Sequence, residues 1–299
     1  MAQTEKTTWV DWLDHLDRRV IYGVMILILL ASTFSKQALP PAKLPTAEKA
    51  FAAIEKLEPD AEKIVFVALD WDGSTKAENQ PQTEALLEHL MRRHIKFALI
   101  SSIPNAEPFL INLPLEVGKK LKNEFPGQTW EYGRDWVNLG FRPSLTILLQ
   151  QIPKTEDLRD VFVTDSNGLS LRNIEGMKGI SRFDQIPLLV ETTGMVGALE
   201  MWVAFFQSEF HRPKIVHGCT SISIPRNFIF LDSGQVQGLL EGVAGAAYYQ
   251  EMLGYKTSTP TPAMKNMSGV STGQIFIVIL IILGNVGMFL KSRSARIPS

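Results

Sequence analysis

The chain has 299 residues, 45% hydrophobic and 20% charged, with 30 Lys+Arg against 31 Asp+Glu for a net charge of −1. That balance excludes collagen-like, disulfide-framework and wholly disordered chains, and it leaves no basic field to draw the protein onto nucleic acid. Cys219 is the single cysteine and the five histidines show no ligand spacing, so neither an internal disulfide nor a metal site is expected.

The first 19 residues place Trp9, Trp12 and Leu13 among Asp11, Asp14 and Asp17, which predicts an amphipathic interfacial leader. Residues 20–37 open with the uncharged run VIYGVMILILLASTFS and are expected to form a first transmembrane helix. A cleaved signal peptide is the competing reading, since Arg18-Arg19 followed by a short apolar run and Ala31-Ser32 imitates one. The Trp, Asp and Glu of the leader count against it, because such leaders are short and basic. Residues 38–60, with Pro40, Pro41 and Pro45, are expected to be an extended spacer.

Residues 61–256 alternate apolar runs with amphipathic stretches. Strands are predicted at 63–69, 97–100, 136–139 and 214–217, with one more at either 160–164 or 188–191. Helices are predicted at 82–94, 115–125, 144–151, 196–209 and 233–253. This order predicts an α/β domain with a mainly parallel, doubly wound, Rossmann-like sheet, flanked by N- and C-terminal transmembrane helices. A linker follows at 257–271. The run GQIFIVILIILGNVGMFL within 272–290 is then expected to span the membrane, ahead of the basic tail 291–299. Gly284 and Gly287 in that run permit close helix approach without the usual four-residue period. Arg18, Arg19, Lys291, Arg293 and Arg296 lie at the terminal ends of the spans. Both termini are therefore expected in the cytoplasm and the central domain outside it, in a periplasm or its equivalent.

The sharpest local pattern is Leu69-Asp70-Trp71-Asp72-Gly73-Ser74-Thr75 after the first strand. It resembles the D-x-D-G-T motif of haloacid-dehalogenase-type phosphatases. The resemblance implies Asp70 as nucleophile, Asp72 as proton carrier, Ser101 or Ser102 as the second motif, and Mg²⁺ as cofactor. Ser74 stands where that motif has Thr, and Lys178 and Asp165 are the nominal remaining members. Two carboxylates in a polar loop that caps the next element are the plainer reading. Outside the phosphatase reading no cofactor is expected.

A second pattern, Gly234, Gly238, Gly242 and Ala246, recurs every four residues and predicts a smooth stripe on the helix 233–253, for close packing against the domain's own sheet or another subunit. The surrounding S-G-Q-x-x-G-L-x-x-G-x-x-G-A-A-x-Y sequence is similar to that of a group of uncharacterised two-pass membrane proteins with an extracytoplasmic α/β domain. That resemblance implies topology and no reaction. His217 and Cys219, two apart on a strand, share a face but have no third group to orient them as base and nucleophile.

The sequence thus points first to a non-catalytic membrane-anchored subunit or scaffold, with the lipid bilayer and a second copy or other membrane proteins as partners. A membrane-tethered Mg²⁺-dependent phosphohydrolase using Asp70 and Asp72 is the alternative, and a ligand-sensing domain is the third reading.

Overall fold

A computed structural model describes residues 17–35, 37–206 and 211–294, which fall into two compact units. The larger comprises residues 42–255, and the smaller joins the N-terminal 41 residues to 256–299.

The larger unit is built on six parallel strands: β1 (Val65–Asp70), β2 (Phe97–Ser101), β3 (Trp136–Phe141), β4 (Leu188–Thr193), β5 (Lys214–Cys219) and β6 (Gly238–Glu241), in the order β3-β2-β1-β4-β5-β6. The predicted doubly wound sheet is therefore present, and it is parallel throughout. Apolar side chains alternate between its faces. Phe66, Ala68, Ile100, Leu189 and Ile215 belong to one core, and Val65, Val67, Leu69, Leu99, Val190 and Val216 to the other. Both faces are buried, which explains why the strands read as continuous apolar runs. The chain leaves β1 in one direction through β2 and β3, then returns to β4 on the other side. The topological switch point thus lies between the carboxyl ends of β1 and β4, where Asp70 is in register with Thr193.

Helices α2 (Pro45–Glu55), α3 (Lys76–Arg92), α4 (Glu107–Glu124) and α9 (Gly242–Met252) contribute Ile54, Leu86, Leu110 and Tyr249 to one core. Helices α5 (Leu145–Gln151), α6 (Leu158–Val161) and α7 (Ala198–Phe205) contribute Leu149, Leu158 and Trp202 to the other, and α8 (Ile224–Asp232) packs Phe230 and Leu231 against it.

Several expectations are corrected. The spacer 38–60 contains α2, because Pro45 sits at the helix start, where its missing N–H is not needed, and Ala47, Ala50 and Ile54 are then buried. Residues 160–164 form no strand. Thr164 makes a single bridge to Ser170, and β4 takes the alternative place at Leu188–Thr193. The helix predicted at 233–253 is in fact a turn after α8, then β6 and α9. The predicted helix 196–209 includes residues 207–209, which lie outside the described ones.

In the smaller unit, α1 (Arg18–Phe34) starts at Asp17, whose Oδ1 accepts the Arg19 N–H at 2.9 Å. Helix α10 runs over Pro262–Ser294, so the expected linker 257–271 is helical from residue 262. Leu29 approaches Gly273 and Ser32 approaches Gly269, an opposite sense of numbering that makes α1 and α10 antiparallel. Among the described residues α10 is the one helix long and apolar enough to cross a membrane, within Pro262–Phe289, where its most apolar 18-residue window has mean hydropathy 2.1. Helix α1 has 17 residues, about 25 Å at 1.5 Å per residue, short of a hydrocarbon core of about 30 Å. The expected interfacial leader lies outside the described residues up to residue 16, as does the basic tail from residue 295.

Candidate functional site

In a doubly wound sheet the place for a ligand or a reaction is the crevice at the carboxyl ends of the strands where their order reverses. Here the residues that leave β1 and β4 meet that place with their own side chains.

Asp70 ends β1 on the face that also carries Phe66 and Ala68, and it is fully buried. Its Oδ1 accepts from the Ser102 N–H at 2.7 Å and the Ser102 hydroxyl at 2.6 Å, and its Oδ2 accepts from the Trp202 indole N–H at 2.8 Å. The Ser101 hydroxyl is only a distant third donor at 3.5 Å, because it donates instead to the Leu69 carbonyl at 2.7 Å. Burial nonetheless dominates and raises the Asp70 pKa, the hydrogen bonds from Ser102 and Trp202 opposing it.

Trp71, next in the chain, is buried on the opposite face. Its indole N–H is shared between the Thr83 and Thr192 hydroxyls at 3.0 and 3.1 Å, and its ring lies 4.4 Å from that of Phe109. Two tryptophans therefore flank the end of β1. Between them the Thr193 hydroxyl donates to the Asp70 carbonyl at 2.8 Å. Gly194 lies so close to Thr75 that an added Cβ would sit 2.2 Å from the threonine Oγ1. The loops after β1 and β4 thus close on each other. From α3, Asn79 Nδ2 donates to the Thr193 carbonyl at 2.9 Å, and Gln82 Nε2 donates to the Cys219 and Gly242 carbonyls at 2.8 and 2.9 Å. The carbonyl groups that a crevice would offer to a ligand are held by the protein itself.

Asp72 does not join Asp70. It turns to the surface, where its Oδ1 accepts from the Ser74 N–H at 2.8 Å and the Ser74 hydroxyl at 2.6 Å, bonds that lower its pKa. With Asn105, Glu107 and Ile111 it lines an open depression. Asp165 is a turn residue, accepting from the Tyr132 hydroxyl and from the Asn167 and Leu169 N–H groups at 2.9 and 2.8 Å, and Lys178 is exposed. The phosphatase resemblance therefore brings Asp70 and the Ser101-Ser102 pair together and leaves Asp72, Asp165 and Lys178 apart. Among the described residues no three His, Cys, Asp or Glu side chains gather as a metal would need. Asp70 is instead a fully buried carboxylate whose two oxygens already accept from protein donors.

The glycines serve three different local purposes. Gly234 takes a left-handed turn at φ +76°. Gly238 opens β6 directly against α2, and an added Cβ would sit 2.1 Å from the Ala50 nitrogen. Gly242 starts α9 at φ +54°, against Ser221 and Glu78. Ala246 is buried within α9. The expected stripe is thus not one helical face, although close packing on the domain's own elements is what Gly238 provides.

One buried constellation escapes pattern reading. Glu191 of β4 and His217 of β5 are paired in register, wholly buried and in contact through Nδ1, with the Asn227 amide nitrogen 3.0 Å from Nε2. Burial lowers the His217 pKa, but the adjacent Glu191 outweighs that effect and raises it, while burial raises the Glu191 pKa against the pull of His217. The signal for this pair was present: Leu-Leu-Val-Glu-Thr-Thr and Lys-Ile-Val-His-Gly-Cys each carry a titratable residue inside a buried run. Cys219 is buried beyond it, at the end of β5.

Comparison with known proteins adds no assignment: no protein-family model, no curated protein and no solved structure matches the chain.

Proposed function

We propose that this chain is a non-catalytic, membrane-anchored subunit, whose α/β domain is a rigid body for assembly with itself or with other membrane proteins. In this reading α1 and α10 both cross the bilayer, with the termini in the cytoplasm and the domain on the far side. The observation that carries it is the self-filled carboxyl edge. Trp71, Trp202 and Asp70 occupy the switch point, and α3 caps the strand-end carbonyls, so the fold's usual place for substrate is used for its own cohesion. The long apolar window within Pro262–Phe289 of α10 supports the anchoring, and the antiparallel α1 supports a return crossing. Two anchors fix the orientation of a domain and so lessen the rotational freedom lost when neighbours associate in the membrane plane.

The test is purification of the full chain in mild detergent, with mass measurement of the intact particle and an assay of p-nitrophenyl phosphate hydrolysis with Mg²⁺. The expected particle contains more than one polypeptide and does not hydrolyse the ester. A monomer that hydrolyses it, and loses that activity on Asp70→Asn, overturns the reading.

A further inference from the structure

Helix α10 carries one amide deep in its apolar stretch. Asn285 lies five residues before Leu290, where the uncharged run ends, about 7 Å inside it at 1.5 Å per residue. Its Nδ2 donates to the Ile281 carbonyl of its own helix at 2.9 Å, and among the described residues that is its one hydrogen bond. The carbonyl oxygen and one N–H remain for another molecule, and hydrocarbon chains supply neither donor nor acceptor. An intramembrane polar side chain is expensive unless it meets a partner, and interhelical hydrogen bonds are how such groups are satisfied.

The residues around Asn285 form a seam. Gln274, Val278, Ile281, Asn285 and Met288 follow one another at alternating steps of four and three, the spacing that keeps one face of a helix against a neighbour. All five are exposed, with Val278 at 53%, Ile281 at 57% and Met288 at 69%. The face is not the one turned to α1. Gly269 and Gly273 make that contact, and at 100° per residue they lie roughly 120° round the helix from the seam.

We infer that a second copy of this chain docks along the Val278, Ile281, Asn285 and Met288 face of α10, with the two Asn285 amides hydrogen-bonded to each other across the seam. The inference rests on the proposed reading of α10 as a spanning helix. An identical chain is the occupant that the chemistry selects. It inserts in the same orientation and brings its own Asn285 to the same depth, and an amide is its own complement, each carbonyl accepting from the other's N–H. A polar residue at such a seam position also fixes the register of the pair.

The experiment is oxidative crosslinking of the full chain reconstituted in phosphatidylcholine vesicles, with native membranes extracted in parallel at alkaline pH in carbonate. The native Cys219 is fully buried, so an introduced thiol is the reactive one. Met288→Cys is expected to form a disulfide-linked dimer, whereas Ile279→Cys, roughly 140° round the helix, is not. Adding Asn285→Leu, which keeps the helix apolar, should lower the yield at limiting protein by about tenfold, and Asn285→Gln should restore most of it. A carbonate-resistant chain that fails to crosslink at position 288, or that crosslinks equally with Asn285→Leu, overturns the inference and leaves the spanning reading intact. Release by carbonate removes the spanning reading, and the inference with it.

Discussion

At the scale of single residues, the carboxyl edge shows what a buried polar group requires when no ligand supplies it. Asp70 is removed from water and compensated by one backbone N–H, one serine hydroxyl and one indole, three donors aimed at two oxygens. This makes Asp70 a structural carboxylate with a definite pH signature. Its pKa is raised on folding, so the native state holds the proton more tightly than the unfolded chain. The associated stability is present below the unfolded value of about 3.9 and is lost as the pH climbs from there through the raised native value. Asp70→Asn keeps an acceptor for Ser102 but turns an N–H against the Trp202 N–H. It should cost about 1–3 kcal/mol at acidic pH, and the deficit should shrink toward neutral pH, because only the wild type loses stability as Asp70 gives up its proton. Urea unfolding in mild detergent, followed by tryptophan fluorescence at acidic and at neutral pH, measures this. A deficit that grows with pH would mean that the hydrogen bonds, and not burial, set the proton affinity of this group.

Among the elements, the three glycines at 234, 238 and 242 separate what a sequence states from what it leaves open. Spaced by four, they read as a helical stripe, yet they mark a turn, a strand start and a helix start in succession. The coincidence misleads because glycine is admitted for two unrelated reasons, a positive φ and a missing Cβ, and the spacing cannot distinguish them. Strands such as Val65–Asp70 and Phe97–Ser101 were legible because a parallel sheet buried on both faces demands uninterrupted apolar runs. β6 was not legible. It has four residues, two of them Gly238 and Glu241, and it gains its place from α2 packed against it. Asp70 and the Ser101-Ser102 pair could likewise be brought together on paper, since adjacent parallel strands end side by side, but nothing local announced that Trp202 would cover them. The packing argument orders the substitutions. Gly238→Ala places a methyl group into the α2 backbone and should cost about 3 kcal/mol or more, at the upper end of overpacking. Gly234→Ala meets open space and should cost about 1–2 kcal/mol for the left-handed conformation alone. Chemical denaturation of both variants checks the order, and equal losses would show that α2 yields to the added methyl group.

For the whole molecule, the decisive quantity is how often the chain crosses the lipid. Helix α10 is long and apolar enough to do so alone, whereas α1 falls short by about 5 Å of hydrocarbon, which local thinning or its flanking residues must absorb if it is to span. The antiparallel pairing of the two helices through Gly269 and Gly273 supplies a reason for α1 to be drawn across, since small residues let two backbones approach where lipid gives no hydrophobic drive for association. If both cross, the two termini share one compartment and the α/β domain faces the other. A cysteine replacing the exposed Leu169 should then react with a membrane-impermeant maleimide added to intact cells. Ones replacing Gln3, ahead of α1, and Arg296, beyond the uncharged run of α10, should stay unlabelled until the membrane is permeabilised. The native thiol does not confuse the result, because Cys219 is sealed in the core. Labelling of position 3 or position 296 from the outside, together with position 169, would reduce the protein to a single crossing or none. The height and orientation that a second anchor gives the domain would then have to come from a partner.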